Sequence, residues 1–136
     1  MELASVEDDA ANVLRSLKSA GVGLAVLTNN ARRAAAAALE RFHLLHYLDV
    51  VLGRDDVSAL KPSPAGLLHA VKILAPTSVA MVGDASIDGI AANRAGVPFI
   101  AFRPTIADMD RRGVERWATI HDLSEIATLL PRLQDH

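Results

Sequence analysis

Two hydrophobic periods alternate along this chain, and that alternation restricts its fold more than any other feature. Val22–Leu27, Leu48–Leu52, Ser78–Val82, Pro98–Phe102 and the shorter Ala118–Ile120 are brief, mostly apolar runs bounded by Gly, Pro, Asn or Asp, as buried strands are. Between them lie stretches with helical spacing, at about Glu7–Ala20, Asn30–Phe42, Pro62–Leu74, Ser86–Ala95 and Leu123–Leu133. Buried strands and amphipathic helices in turn predict an α/β domain: a doubly wound, mostly parallel sheet of about five strands, with helices on both faces and right-handed crossovers. Residue chemistry fits the boundaries, since Gly21 follows the first helix, Asn30 is placed to cap the second, Pro62 suits a first turn and Gly96 stops the fourth. The Ala34–Ala38 run suits a helix packed close to a sheet, and Arg103–Arg116 is the longest expected surface loop.

Composition narrows the partners. A chain of 136 residues, 51% of them apolar, suits one domain spanning 1–136 around one core. Fourteen Lys and Arg against sixteen Asp and Glu leave a net charge of -2, which argues against nucleic acid, whose phosphates demand a basic surface. Without cysteine there is no disulfide framework, thiol nucleophile or cysteine-bound metal, as suits a cytoplasmic protein. Met1–Ala11 has neither the basic nor the apolar region of a leader, and no run approaches the roughly 18 apolar residues of a membrane span.

Strands of a parallel sheet end at one edge, where ligands bind beyond the carboxyl ends. The polar residues after the strands therefore matter most: Thr28-Asn29-Asn30, then Lys61-Pro62-Ser63-Pro64, then Gly83-Asp84 with Asp88 four residues on. A hydroxyl, the N–H groups of a helix start and a lysine ammonium make a seat for phosphate oxygens. Paired carboxylates suit Mg²⁺, which takes oxygen ligands and bridges to substrate phosphate. Singly, each residue has a plainer explanation: Thr28 as a cap, Lys61 as a solvated loop residue, Asp84 as a turn residue and Asp88 as a first-turn carboxylate facing the helix dipole.

Their order is more specific. Val-Leu-Thr-Asn, Lys-Pro-x-Pro and Val-Gly-Asp-x-x-x-Asp occur in succession, each at the strand end or helix start it needs. In this the chain resembles the haloacid dehalogenase-like (HAD-like) hydrolases, mostly phosphatases with a Rossmann-like core. The resemblance runs from about Val13 to Leu130 and includes Gly89-Ile-Ala-Ala-Asn-Arg-Ala-Gly96. It implies Thr28 and Lys61 as catalytic residues, Thr28, Asn29 and Lys61 as substrate-binding residues, Asp84 and Asp88 as metal-binding residues, Mg²⁺ as cofactor and a small phosphorylated molecule as substrate.

Members of that family begin with a strand ending in Asp-x-Asp, which supplies the nucleophile and the general acid/base, followed by an inserted cap. No apolar run here ends that way; Glu7-Asp8-Asp9 after Leu-Ala-Ser-Val is the nearest imitation, and a helix start capped by Ser5 accounts for it. The resemblance places the missing strand between those ending at Thr28 and Asp84. Those two must then pair directly, accept Met1–Val6 as a substitute, or take a strand from another chain, a homo-oligomer through the gapped sheet included. The function expected is Mg²⁺-dependent phosphatase chemistry, with a catalytically inactive phosphate- or metal-binding regulatory module as the alternative. A receiver domain has its acids, Thr and Lys in another order, and no Gly-x-Gly-x-x-Gly follows a strand. His43 with His46 offers only two ligands, His69, His121 and His136 lack partners in the sequence, and Arg111-Arg112, Arg116 and Asp55-Asp56 suit solvated loops and turns.

Overall fold

The structure, a computed structural model, describes residues 9–133. Its elements are α1 (Asp9–Ser19), β1 (Ala25–Leu27), α2 (Arg32–Arg41), a 3-10 turn (Leu45–Tyr47), β2 (Val50–Leu52), α3 (Ala65–Leu74), β3 (Met81–Gly83), α4 (Ser86–Ala95), β4 (Phe99–Phe102), α5 (Ile106–Arg111), β5 (Ala118–Ile120) and α6 (Glu125–Leu133). Every ladder is parallel: β1 with β2, β3 with β4 and β4 with β5. The five strands and their order are those the sequence predicts, and helices cover both faces.

Alternation along β4 shows the two layers directly. Phe99 and Ala101 enter a cluster with Leu67 of α3, Ala92 of α4 and Met109 of α5. Ile100 and Phe102, one step out of phase, pack with Leu17 of α1 and Ile126 of α6. Strands this buried read as continuous apolar runs because both of their faces are covered. A third cluster joins α1, α2, β1 and β2 around Ala10, Leu39 and Leu44.

Among the described residues the five strands form a two-stranded ladder, β1-β2, and a three-stranded ladder, β3-β4-β5. Side chains hold the two together, since Leu27 of β1 packs against the cluster containing Met81 and Leu24 against the one containing Ile100. Direct pairing of the strands ending at Thr28 and Asp84 is thus not what occurs. Substitution by Met1–Val6, and the Ser5 cap, lie outside the described residues.

Local boundaries also differ. Arg103–Arg116 contains α5 where a loop was expected; six residues with Met109 as the one buried side chain carry too little period to read from sequence. Asn30 does not cap α2, whose N-cap is Ala31; the Arg32 N–H instead donates to Asp55 Oδ1 at 2.9 Å, a cap supplied from another loop. The helix after Pro62 starts at Ala65, whose N–H donates to Ser63 Oγ at 3.2 Å. Close approach fixes Gly53: a Cβ there would lie 2.1 Å from the Arg32 nitrogen.

Candidate functional site

The loops after β1, β2 and β3 meet through Lys61. Its ammonium donates to the Leu27 carbonyl at 3.2 Å and to Asp88 Oδ1 at 2.6 Å. Both charged side chains are nearly inaccessible, at 9% exposure for Lys61 and 4% for Asp88. A lone ammonium buried this deeply is costly, and the Asp88 partnership makes its position tolerable. Lys61 is therefore not the solvated loop residue it would be by default.

Asn29 holds that lysine in place. Its Nδ2 donates to the Lys61 carbonyl at 3.1 Å while its Oδ1 accepts from the Lys61 N–H at 3.0 Å, a two-point clamp across 32 residues of chain. The side-chain amide is thus engaged with backbone. Thr28 Oγ1 accepts from the Asn30 N–H at 3.1 Å, and the Thr28 N–H donates to the Leu52 carbonyl at 3.0 Å, continuing the β1-β2 ladder.

Asp88 is fixed at both oxygens. Oδ2 accepts from the Ala85 N–H at 3.1 Å, closing the first turn of α4, while Oδ1 meets Lys61. Gly83 makes room for it, because a Cβ at Gly83 would stand 2.5–2.7 Å from the Asp88 side chain. The Val-Gly-Asp spacing is in this respect a packing requirement: strand end, absent side chain, then the carboxylate that occupies the space.

Beyond β3 lies a cleft of about 640 Å³ lined by Lys61, Asp84, Ala85, Ser86, Ile87, Asp88, Thr105, Asp108 and Arg111. Lys61, Asp84 and Asp88 thus line one cleft; Thr28 and Asn29 are not among its lining residues, Asn29 holding the Lys61 backbone and Thr28 following Leu27, whose carbonyl accepts from Lys61. Ser86, Thr105 and Asp108, which the sequence motifs do not single out, also line the cleft. Ser86 Oγ donates to Asp108 Oδ2, and Arg111 and Arg112 pair with the same carboxylate. The Ser86 hydroxyl first, and then the two arginines, hold the Asp108 carboxyl below the usual range, so it stays ionised. A helical i,i+3 and i,i+4 charge pattern at Asp108, Arg111 and Arg112 was the available signal.

A family model for haloacid dehalogenase-like hydrolases matches residues 2–102. This chain belongs to that family. A phosphoglycolate phosphatase of Cereibacter sphaeroides is 34% identical over 121 residues, covering 89% of this chain and 51% of the relative. One from Neisseria meningitidis is 42% identical over 85 residues, covering 61% and 36%. A HAD-superfamily hydrolase of subfamily IA from Geobacter sulfurreducens superposes with a TM-score of 0.78 at 28% identity, over 91% of this chain and 60% of that one. The chain spans about half the length of the curated relatives it matches, or less. None of the helices among the described residues is long and apolar enough to cross a membrane.

A family cofactor can be tested against the donors present. Mg²⁺ binds through one or two carboxylates together with water and substrate phosphate. Asp84 in the cleft suits such a role. Asp88 is committed to Lys61 and Ala85, and the described residues contain no group of three or more His, Cys, Asp or Glu placed to hold a metal. Asp84 is the cleft carboxylate that would hold such an ion.

Proposed function

We propose that this HAD-like chain carries the phosphate- and Mg²⁺-gripping part of a phosphatase for small phosphorylated metabolites. The observation that supports it best is the buried Lys61 ammonium, held at 2.6 Å from Asp88 in the cleft that also contains Asp84. In this proposal Thr28 donates its hydroxyl to a phosphate oxygen, and Lys61 places positive charge where the transferring group gains negative charge. Asn29 acts on substrate mainly by clamping Lys61, and Asp88 sets the orientation of that ammonium. Asp84 would hold Mg²⁺, whose chemistry is to neutralise phosphate charge during transfer.

Turnover through an aspartyl-phosphate also needs an attacking carboxylate, the role the family gives to its Asp-x-Asp strand. One observation favours the alternative, a module that grips the anion without turning it over: Asp88 is bonded to Lys61, and Asp108 to Ser86, Arg111 and Arg112. Assay of the 136-residue chain with Mg²⁺ on a panel of phosphomonoesters, phosphoglycolate included, separates the two. A rate above that of Asp84→Ala supports the enzyme. Equal rates, with inorganic phosphate still binding to the parent in calorimetry and not to Lys61→Met, support the module; absence of both overturns the proposal.

A further inference from the structure

Asp84 enters the cleft from the turn between β3 and α4, and the two residues that follow it are each held by a carboxylate. Asp88 Oδ2 accepts from the Ala85 N–H at 3.1 Å, and Asp108 Oδ2 accepts from the Ser86 hydroxyl. The first hold is local, made within the opening turn of α4. The second crosses 22 residues of chain and ties α4 to α5. Helix capping does not account for it. Ala85 occupies the N-cap position of α4 and makes no side-chain cap, while Ser86, one residue on, sits in the helix proper with its hydroxyl turned to a tertiary partner. Ser86 is only 7% exposed, so a hydroxyl there needs such a partner to offset its loss of water.

Asp108 is a fixed point for that contact. The next residue, Met109, is fully buried in the cluster that holds Phe99 and Ala92, so α5 is anchored to the sheet beside the carboxylate. Arg111 pairs with Asp108 Oδ1, and Arg112 lies 3.5 Å from Oδ2. Both arginines belong to the same short segment as Asp108, so they orient its carboxylate without help from α4. Ion pairs this exposed add little stability of their own. Their effect here is to keep a charged, oriented acceptor facing Ser86, and hydrogen bonds to charged acceptors are the stronger kind.

We propose that Asp108 is a positioning residue: acting through the Ser86 hydroxyl, it fixes the β3–α4 turn and thereby the place of the Asp84 carboxylate in the cleft. Asp108 lines that cleft too, but both of its oxygens are engaged by protein groups, so its action on Asp84 runs through the turn and not through a ligand. The turn is held from two sides, by Asp88 with Lys61 on one and by Asp108 with its arginines on the other. Without Asp108 the Asp88 hold on Ala85 remains, and α4 keeps its own backbone hydrogen bonds. The consequence is a displaced Asp84, not a lost helix. What Asp84 then does with Mg²⁺ rests on the phosphatase reading; where the turn sits does not.

NMR of the isotope-labelled 136-residue chain, free of metal and phosphate, tests the placement through the Asp84 carboxyl and amide signals and the exchange of the Ala85 amide. Ser86→Ala and Asp108→Ala each shift the Asp84 signals and speed Ala85 exchange by about ten-fold. The double variant goes no further than either single one, because both remove the same bond. Asp108→Asn keeps an acceptor for the Ser86 hydroxyl and returns the signals toward those of the parent. The Met81 and Met109 amides, bonded to Pro98 and Thr105, stay unchanged and report that β3 and α5 remain folded. Asp84 signals that do not move in the two alanine variants overturn the proposal, as do effects that add in the double variant or that Asp108→Asn fails to reverse. Mg²⁺ titration of the same samples by calorimetry adds a second readout: Asp108→Ala weakens Mg²⁺ about ten-fold while inorganic phosphate binds as in the parent, and unchanged Mg²⁺ affinity overturns the proposal. A parent that binds no Mg²⁺ overturns the metal role given to Asp84 in the phosphatase reading, and the metal-free spectra then decide the positioning by themselves.

Discussion

Replacing Lys61 by Met keeps the aliphatic stem and removes only the ammonium, which makes it a direct probe of the buried pair. The variant loses the contacts at 2.6 Å and 3.2 Å and leaves the Asp88 carboxylate, 4% exposed, with the Ala85 N–H as its remaining partner. Breaking one side of a buried pair costs about 3–5 kcal/mol, because the surviving charge stays desolvated. Against a total stability of roughly 5–15 kcal/mol that is a large fraction. For a chain of this size it corresponds to a fall in Tm of about 10 °C or more. Adding Asp88→Asn removes the stranded charge while leaving an acceptor for the Ala85 N–H, so the double variant should recover about 1–2 kcal/mol relative to Lys61→Met. Urea unfolding followed by circular dichroism measures all four members of the cycle. A Lys61→Met variant within about 1 kcal/mol of the parent, with effects that simply add, would refute the claim that this pair is buried and coupled.

Other substitutions test neighbouring contacts. Gly53→Ala places a Cβ 2.1 Å from the Arg32 nitrogen and should cost about 3 kcal/mol or more in urea unfolding. Gly83→Ala pushes on Asp88 at 2.5–2.7 Å, so it should destabilise by about 1–3 kcal/mol and less than that when Lys61→Met is already present. Asn29→Ala removes both clamps on the Lys61 backbone, with an expected loss of about 1–3 kcal/mol and weaker phosphate binding by calorimetry. Ser86→Ala should raise the Asp108 titration toward its ordinary value when followed by carboxyl NMR, since the Ser86 hydroxyl is the main cause of its depression. Asp49, Asp55, Asp108, Asp122 and Glu125 all titrate below their usual values when folded. The unfolded chain then binds more protons, so their contribution is complete above about pH 4.5 and is lost as pH falls through the folded values. Thermal unfolding between pH 6 and 2.5 should show that acid-side loss.

Much of the architecture is written locally. Mostly apolar runs at Leu48–Leu52 and Pro98–Phe102 suit covered strands, and helical spacing between them suits parallel crossovers. Strand ends with Thr28, Lys61 and Gly83-Asp84 pointed to one edge because a parallel sheet collects its carboxyl ends there. Partnerships at that edge depended on residues far apart in the chain. Asn29 clamps Lys61 from 32 residues away, Asp55 rather than Asn30 caps α2, and Asp108 reaches Ser86 from a helix too short to show a period. Which strands share a ladder among the described residues was equally beyond local pattern, since an apolar run has the same composition whether its backbone is paired on one edge or on both. Periodicity records which side chains are removed from water; which donor meets which acceptor is set only when distant segments are brought within about 3 Å of each other.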